Sequence, residues 1–228
     1  MKSSLHKPPL LIAHRGDTIS FPENTLEGFL SAFEKGADGV ELDIHFYNNE
    51  IIVVHNYLFD GSKSYPRLED ILKRIHLKGR IEIEIKEFDT KILQPLKKVL
   101  SKFPHADFEL TTSEIPLAPY IKEQFSQIPF GLILQDFFFQ DWMAQEFVEQ
   151  KLIGWGKLTK ADRLHIPLKI LERFGQDILV GKLHTAGFIV HSHIFNTEEQ
   201  NDSFIKISKW NVDQCTFDNI DGLNLKVN

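Results

Sequence analysis

Two hydrophobic periods take turns along this chain. Leu10-Leu11-Ile12-Ala13 is an apolar run short enough for a buried strand, and His14, Arg15 and Gly16 follow where such a strand stops. Ser20-Phe21-Pro22-Glu23-Asn24-Thr25 then opens a helix in which Leu26, Phe29, Leu30 and Phe33 recur at helical spacing, with Gly36 as its stop. From Gly39 the period falls to two, so that Val40, Leu42 and Ile44 take one face of a strand and Glu41, Asp43 and His45 the other. A second apolar run, residues 51–54, ends in His55, so an imidazole again follows a strand. Residues 80–86 alternate strictly, with Glu82, Glu84 and Lys86 opposite Ile81, Ile83 and Ile85.

The alternation continues downstream. The pattern predicts a strand over 107–112, a helix over 115–125, a strand over 130–135, a helix over 141–150 and a sixth strand over 152–158. A helical stretch over 167–186 with a break near Gly175 comes next, then a seventh strand over 188–193 and an eighth over 213–217. Strands and helices in this order predict the α/β class. Neither a low-complexity tract nor a linker-like stretch divides the sequence, so residues 1–228 are expected to form a single domain.

The strand over 80–86 carries the first chemical argument. With its isoleucines packed under helices, its charged face must look into a barrel interior, where unpaired carboxylates are costly and need a cation. Glu41, Asp43 and Glu84 are the candidate ligands. An oxygen-only set favours a hard divalent ion, Mg²⁺, Ca²⁺ or Mn²⁺, over zinc. Together with His14, Arg15 and His55 at strand ends, the segment 10–56 reads as a metal-assisted phosphodiester site.

These motifs resemble the glycerophosphodiester phosphodiesterase family. The residues that carry the likeness are His14-Arg15-Gly16, Pro22-Glu23-Asn24-Thr25, Gly36-Ala37-Asp38-Gly39-Val40-Glu41-Leu42-Asp43, His55 and Ile83-Glu84-Ile85-Lys86. Weaker similarity follows in Pro66-Arg67-Leu68-Glu69-Asp70-Ile71-Leu72, in Ala186-Gly187-Phe188-Ile189-Val190 with Asn196, and in Val212-Asp213 and Asp218. The resemblance implies a TIM-type (β/α)8 barrel that hydrolyses glycerophosphodiesters to glycerol 3-phosphate and an alcohol with a divalent metal. By matched position Glu41, Asp43 and Glu84 would be metal ligands and His14 and His55 the acid/base pair. Arg15 and Lys86 would hold phosphate oxygens, and Glu23 would position the metal or the His14 side of the site.

Elementary chemistry agrees with that assignment. A phosphodiester is an anion, so attack on it needs the charge neutralisation that a dication with Arg15 and Lys86 provides, and the fork of Arg15 suits two oxygens at once. One proton must leave the nucleophile and one must reach the leaving alkoxide, which two imidazoles can exchange near neutral pH. Which histidine does which stays open, as does the choice between water and a substrate hydroxyl as nucleophile.

Three departures from the family pattern bear on specificity. Asn56 stands where the family has Asp; the cap insertion after the second strand is reduced to residues 56–64; and His193-Ile194-Phe195-Asn196 and Phe217-Asp218 replace the family's W-T-V-N and T-D. His193 is therefore read as lining the substrate pocket, where an aromatic wall is usual. His191 shares its strand face, a spacing that suits metal, pocket lining or barrel filling. Glu82 has no matched role and is read as salt-bridged to a barrel neighbour before an extra metal contact. Phe137-Phe138-Phe139 with Trp142 is read as core or a hydrophobic rim.

Composition narrows the partners. The 228 residues, 42% hydrophobic and 25% charged, make a compact barrel-sized chain. A net charge of −6 argues against nucleic acid, and no apolar tract is long enough for stable membrane insertion. A small-molecule phosphodiester is the expected partner. A single cysteine, Cys215, and no apolar leader before the first strand predict a cytoplasmic protein. The alternative to catalysis is a noncatalytic or altered-specificity barrel that binds a phosphorylated ligand or a lysophospholipid.

Overall fold

A computed structural model describes residues 8–174, 176–194 and 200–221 of the chain. Its elements are β1 (Leu10–Ala13), α1 (Leu26–Glu34), β2 (Gly39–Tyr47), β3 (Glu50–Val53), α2 (Leu68–Ile75), β4 (Arg80–Ile85), α3 (Leu93–Leu100), β5 (Asp107–Thr112) and α4 (Ala118–Gln124). They continue as β6 (Phe130–Ile133), α5 (Gln145–Thr159), β7 (Arg163–Pro167), α6 (Leu168–Phe174), α7 (Gln176–Thr185), β8 (Ile189–Ile194), α8 (Gln200–Lys209) and β9 (Gln214–Phe217). Strands β1, β2 and β4 to β9 pair in parallel in that order, and β9 pairs back onto β1. Eight strands therefore close a TIM-type (β/α)8 barrel with helices around it.

The apolar core is the ring between strands and helices. Val40, Leu42, Ile44, Ile81, Ile83, Ile85, Leu110, Leu132, Leu164, Ile166 and Val190 are all buried against residues such as Phe29, Leu72, Leu96, Ile121 and Leu152. Each such side chain contributes roughly 1.5–3 kcal/mol on burial. The inner wall is polar instead. Glu41 sits in register with Glu82 and Glu82 with Glu109, while Asp43 sits beside Glu84 and Glu84 beside Thr111. On the other side of the ring His165, His191 and Gln214 are register neighbours, as are Pro167, His193 and Thr216. Ile12 and Ile133 are apolar exceptions on this wall, and both lie apart from the main hydrophobic cluster.

One expectation needs correction. The run over 152–158 is part of α5, and the sixth barrel strand is β7, Arg163–Pro167. Val148, Leu152, Gly156 and Thr159 are the buried positions of α5, a helical spacing that the neighbouring Ile153, Trp155 and Leu158 disguised as a continuous apolar run. A left-handed Lys160 at φ 56° ends the helix, its N–H reaching the carbonyls of Gly156 and Lys157. The short strand over 51–54 stands outside the eight of the barrel. It is β3, antiparallel to β2, so the chain folds back beside β2 before the loop of residues 54–66. That loop is the reduced cap. It has no helix or strand, and Phe59 packs between His45 and Tyr65 with ring centroids 5.4 and 5.6 Å away.

Phe139 enters the core, whereas Phe137 and Trp142 stay exposed. The predicted break at Gly175, with Phe195 and Asn196, lies outside the described residues. Among the described residues no helix is long and apolar enough to cross a membrane.

The helical assignment of 152–158 can be checked at two glycines. A Cβ at Gly154 would meet nothing within 4 Å, but one at Gly156 would lie 2.6 Å from the Phe188 ring. Gly154→Ala should raise the unfolding free energy by about 0.5–1 kcal/mol in urea, while Gly156→Ala should lower it by about 1–3 kcal/mol. Equal effects at both positions would contradict the helix.

Candidate active site

The first turn after β1 sets the site. Arg15 and Gly16 take left-handed backbone angles, φ 55° and 87°, and a Cβ on Gly16 would lie 2.8 Å from the Gly28 backbone carbon of α1. The turn therefore presses against the start of α1, which Thr25 caps by accepting from the Gly28 N–H. This tight turn aims the Arg15 backbone N–H at Glu41 Oε2, 3.1 Å away. The Arg15 side chain reaches Asp43 Oδ2 through Nε at 3.1 Å and Glu23 Oε2 through Nη1 at 2.8 Å.

Asn24 completes the frame. It also adopts a left-handed conformation, φ 59°, which an Asn side chain tolerates well. Its Nδ2 donates to Asp43 Oδ2 at 2.9 Å, and its Oδ1 accepts from the Asp43 backbone N–H at 3.2 Å. Asp43 is thereby fixed in position and orientation.

Glu41, Asp43 and Glu84 present carboxylate oxygens all within 4.8 Å of one another. Glu41 Oε1 and Asp43 Oδ1 are buried and accept no hydrogen bond. Burial, then the charges of Asp43 and Glu84, pushes the Glu41 carboxyl well above its ordinary range. Burial also raises Glu84 to about 7, against the pull of Lys86 and with the push of Asp43. Carboxylates crowded in this way, two of their oxygens without a donor and only Ser113 donating to Glu84, fit a hard divalent cation, whose charge removes both the repulsion and the missing contacts. Lys86 Nζ stands 3.7 Å from Asp43 Oδ1 and 3.6 Å from Glu84 Oε1, and 4.9 Å from the centre of the Tyr57 ring.

The two histidines arrive by different routes. His14 follows β1, and its Nδ1 lies 2.6 Å from Asp218 Oδ1, just past β9. His55 comes from the β3 hairpin, which returns the chain to the height of Asp43: the Val54 N–H donates to the Asp43 carbonyl at 3.1 Å. Burial lowers the His55 imidazole below its ordinary range, with the nearby charges of Arg15 and Lys86 adding to the effect over the opposing pull of Asp43. The shift favours the uncharged ring.

A cavity of about 630 Å³ at the mouth of the barrel brings most of these groups together. His14, Arg15, Glu41, His55, Glu84, Lys86 and His193 all line it. Glu23 does not join the carboxylate cluster; its carboxylate is paired with Arg15. Sequence reasoning assigned no role to Asn24 or Asp218, although both stand in motifs that were noticed. It missed His165 because Arg-Leu-His-Ile-Pro was not recognised as a strand, despite placing Arg163, His165 and Pro167 on one face.

Comparison with known proteins agrees with this geometry. Residues 14–59 match the model of the glycerophosphoryl diester phosphodiesterase family. A glycerophosphodiester phosphodiesterase of Caldanaerobacter subterraneus is 46% identical over 52 residues, 22% of this chain and 21% of that protein. An uncharacterised Mycoplasma genitalium protein is 32% identical over 127 residues, 49% of each chain. The chain thus spans less than two thirds of the length of the curated relatives it matches. Solved structures match along almost the full barrel. The Thermotoga maritima glycerophosphodiester phosphodiesterase has a TM-score of 0.70 at 20% identity, covering 94% of this chain and 96% of that one. An Oleispira antarctica phosphodiesterase, solved with the product sn-glycerol-3-phosphate, has a TM-score of 0.72 at 18% identity, covering 92% and 93%. Over residues 14–59 this chain is thus similar to glycerophosphodiester phosphodiesterases, and along nearly its whole length it shares the barrel fold of solved structures of that name.

Proposed function

We propose that this protein hydrolyses glycerophosphodiesters to glycerol 3-phosphate and an alcohol. The observation that carries the reading is one cavity lined by His14, His55, Arg15, Lys86, Glu41 and Glu84, the last two clustered with Asp43. The product bound by the Oleispira relative supports glycerol 3-phosphate as the phosphate-bearing product. The lone, buried Cys215 suits a reducing compartment, and the cytoplasm is where we place the activity.

Arg15 and Lys86 bind the phosphate. Arg15 is held by Asp43 and Glu23, so its planar fork meets two oxygens without first losing side-chain freedom. Glu41, Asp43 and Glu84 would hold a divalent ion, Mg²⁺ or Ca²⁺ with Mn²⁺ also suited, which when bound supplies a Lewis acid beside the phosphate oxygens. His55, kept neutral, accepts the proton of the attacking hydroxyl. Asp218 takes the Nδ1 proton of His14 in a hydrogen bond, which leaves proton exchange with the leaving alkoxide to Nε2. His193 and the short loop over 54–66 shape the alcohol side of the cavity.

Turnover of glycerophosphoethanolamine, glycerophosphocholine or glycerophosphoglycerol is expected with Mg²⁺, Ca²⁺ or Mn²⁺, and EDTA should abolish it. Ligand binding by calorimetry with no product from any of them would leave a phosphate-binding barrel and discard the catalytic reading. His14→Ala and His55→Ala should each lower kcat by about 10²-fold or more in steady-state assays, with folding intact by circular dichroism. Asp218→Asn should lower kcat while leaving KM nearly unchanged, because it loosens the ring and not the phosphate contacts.

The raised Glu84 carboxyl also sets a pH dependence. A folded-state value of about 7 against an ordinary 4.5 means that the folded chain keeps a proton that the unfolded chain has lost. That stabilisation is full below the ordinary value and is lost as pH rises through about 7. Metal needs the ionised carboxylate, so its affinity weakens as pH falls and it restores stability above neutrality. Thermal melts of EDTA-treated protein should fall between about pH 5 and 8 and recover on adding Mg²⁺ or Ca²⁺. Glu84→Gln should flatten both responses, and an unchanged profile in that variant would remove Glu84 from the site.

A further inference from the structure

Large apolar side chains that meet water are not spread evenly over this molecule. Leu58 is 97% exposed, Trp142 76%, Phe88 74%, Phe137 68% and Ile19 58%. Each lies in a loop that follows a barrel strand or its hairpin: Ile19 after β1, Leu58 after β3, Phe88 after β4, and Phe137 and Trp142 after β6. Such loops gather at the C-terminal end of the strands, around the opening of the cavity lined by His14, Glu84 and Lys86. By contrast, Tyr120 on α4, Ile178 on α7 and Ile205 on α8 come one to a helix around the barrel. Single exposed residues are ordinary, whereas several around one opening mark a binding surface.

Specific contacts hold these side chains outward. The Tyr57 hydroxyl donates to Glu114 Oε1 at 3.2 Å, and the Tyr57 ring stacks on Phe88 with centroids 5.1 Å apart. The tip that carries Leu58 is thereby tied to the loops after β4 and β5. Phe137 packs on Phe138 at 4.4 Å, and Phe138 meets Trp155 of α5 at 4.9 Å. Order of this kind keeps apolar surface in water, which folding by itself disfavours.

A groove of about 380 Å³ runs between these supports, lined by the apolar side chains of Tyr57, Ile115, Pro116, Phe137 and Phe138 and by Lys86. Lys86 also lines the main cavity, so groove and cavity meet at the residue that binds phosphate. A water-soluble glycerophosphodiester has little apolar surface to lay along such a track. A phosphodiester that carries a hydrocarbon chain has much. The charges next to the rim residues in sequence are paired, Asp89 with Lys91, Asp136 with Lys169 and Asp141 with Arg173, and the chain as a whole carries −6. That charge balance gives no attraction to an anionic surface and suits a zwitterionic one.

The geometry points to a lipid-docking rim: Ile19, Leu58, Phe88, Phe137 and Trp142 seat the barrel mouth on a zwitterionic phospholipid surface, from which a phosphodiester lipid enters along the groove with its phosphate toward Lys86. The apolar tips come from four separate loops around an opening. A protein seated on them would seal the cavity, whereas a lipid surface feeds it. Aromatic rings also favour the boundary between headgroups and chains. Water would add across the bond between phosphorus and the headgroup oxygen, so that lysophosphatidylcholine gives lysophosphatidic acid and choline. The lipid as substrate rests on the hydrolase reading above; the docking does not.

The test sediments the full-length protein with sucrose-loaded phosphatidylcholine vesicles in EDTA, so that no turnover alters the lipid. Wild type should pellet with them, and Leu58→Asp combined with Trp142→Asp should lower the partition coefficient by at least about tenfold. Tyr120→Asp combined with Ile205→Asp, also at exposed positions but on outer helices, should match wild type. Brominated phosphatidylcholine should quench part of the tryptophan emission of wild type, a readout that needs no variant to fold. Docking is overturned by wild type that neither pellets nor is quenched, by equal losses in the two double variants, or by light scattering that shows a dimer which Leu58→Asp dissociates. With Mg²⁺ or Ca²⁺ present, choline release from lysophosphatidylcholine should climb steeply where micelles form, and a flat response would discard the lipid as substrate. Pelleting without turnover of any phosphodiester keeps the rim and discards the hydrolase; turnover of glycerophosphocholine without pelleting keeps the hydrolase and discards the rim.

Discussion

The interior of the barrel is lined with charge, and every feature around it answers to the cost of keeping charge out of water. In most barrels of this kind bulky branched residues fill the centre in layers. Here Glu41, Glu82, Glu109, Arg163, His165, His191 and Gln214 occupy it, all buried. The apolar ring between strands and helices must therefore supply the folding free energy. The interior contributes register: Glu109 ties Arg163, His165 and Gln214 from β7 and β9 to β5. Loss of one partner in such a network typically costs about 3–5 kcal/mol, because the other is left buried and unpaired.

Toward the mouth the same network is left deliberately incomplete. Arg15 and Asn24 satisfy one oxygen of Asp43, and the Arg15 N–H satisfies one oxygen of Glu41, while the second oxygen of each accepts nothing. Both supporting residues sit at positive φ, where the backbone rather than a long side chain does the aiming. An unsatisfied, preorganised set of acceptors is destabilising in the free chain and useful to a cation or a transition state. Stability is lost where binding is gained.

Burial also separates the roles of the histidines. Burial lowers the His55 imidazole below its ordinary range, whereas His14 is held in a contact with Asp218. His165, His191 and His193 sit on the barrel wall within reach of one another, their rings 3.9 to 5.6 Å apart between centroids.

The sequence alone determined what is local and periodic: the turn at His14-Arg15-Gly16, the cap at Thr25, the paired faces of β2 and β4, and from them the carboxylate cluster. Alternation of period two forces side chains two apart onto one face whatever the rest of the chain does, which is why Glu41, Asp43 and Glu84 were legible. The stretch over 152–158 was not, because a dense apolar run satisfies strand and helix alike until packing chooses, and Gly156 under Phe188 records that choice. Only the tertiary structure brought Asp218 to His14, 204 residues away, Asn24 onto Asp43, and His165 to Glu82 and Glu109. Those contacts depend on closing the barrel. Ring closure sets which side chains meet across the interior, and no local pattern encodes it.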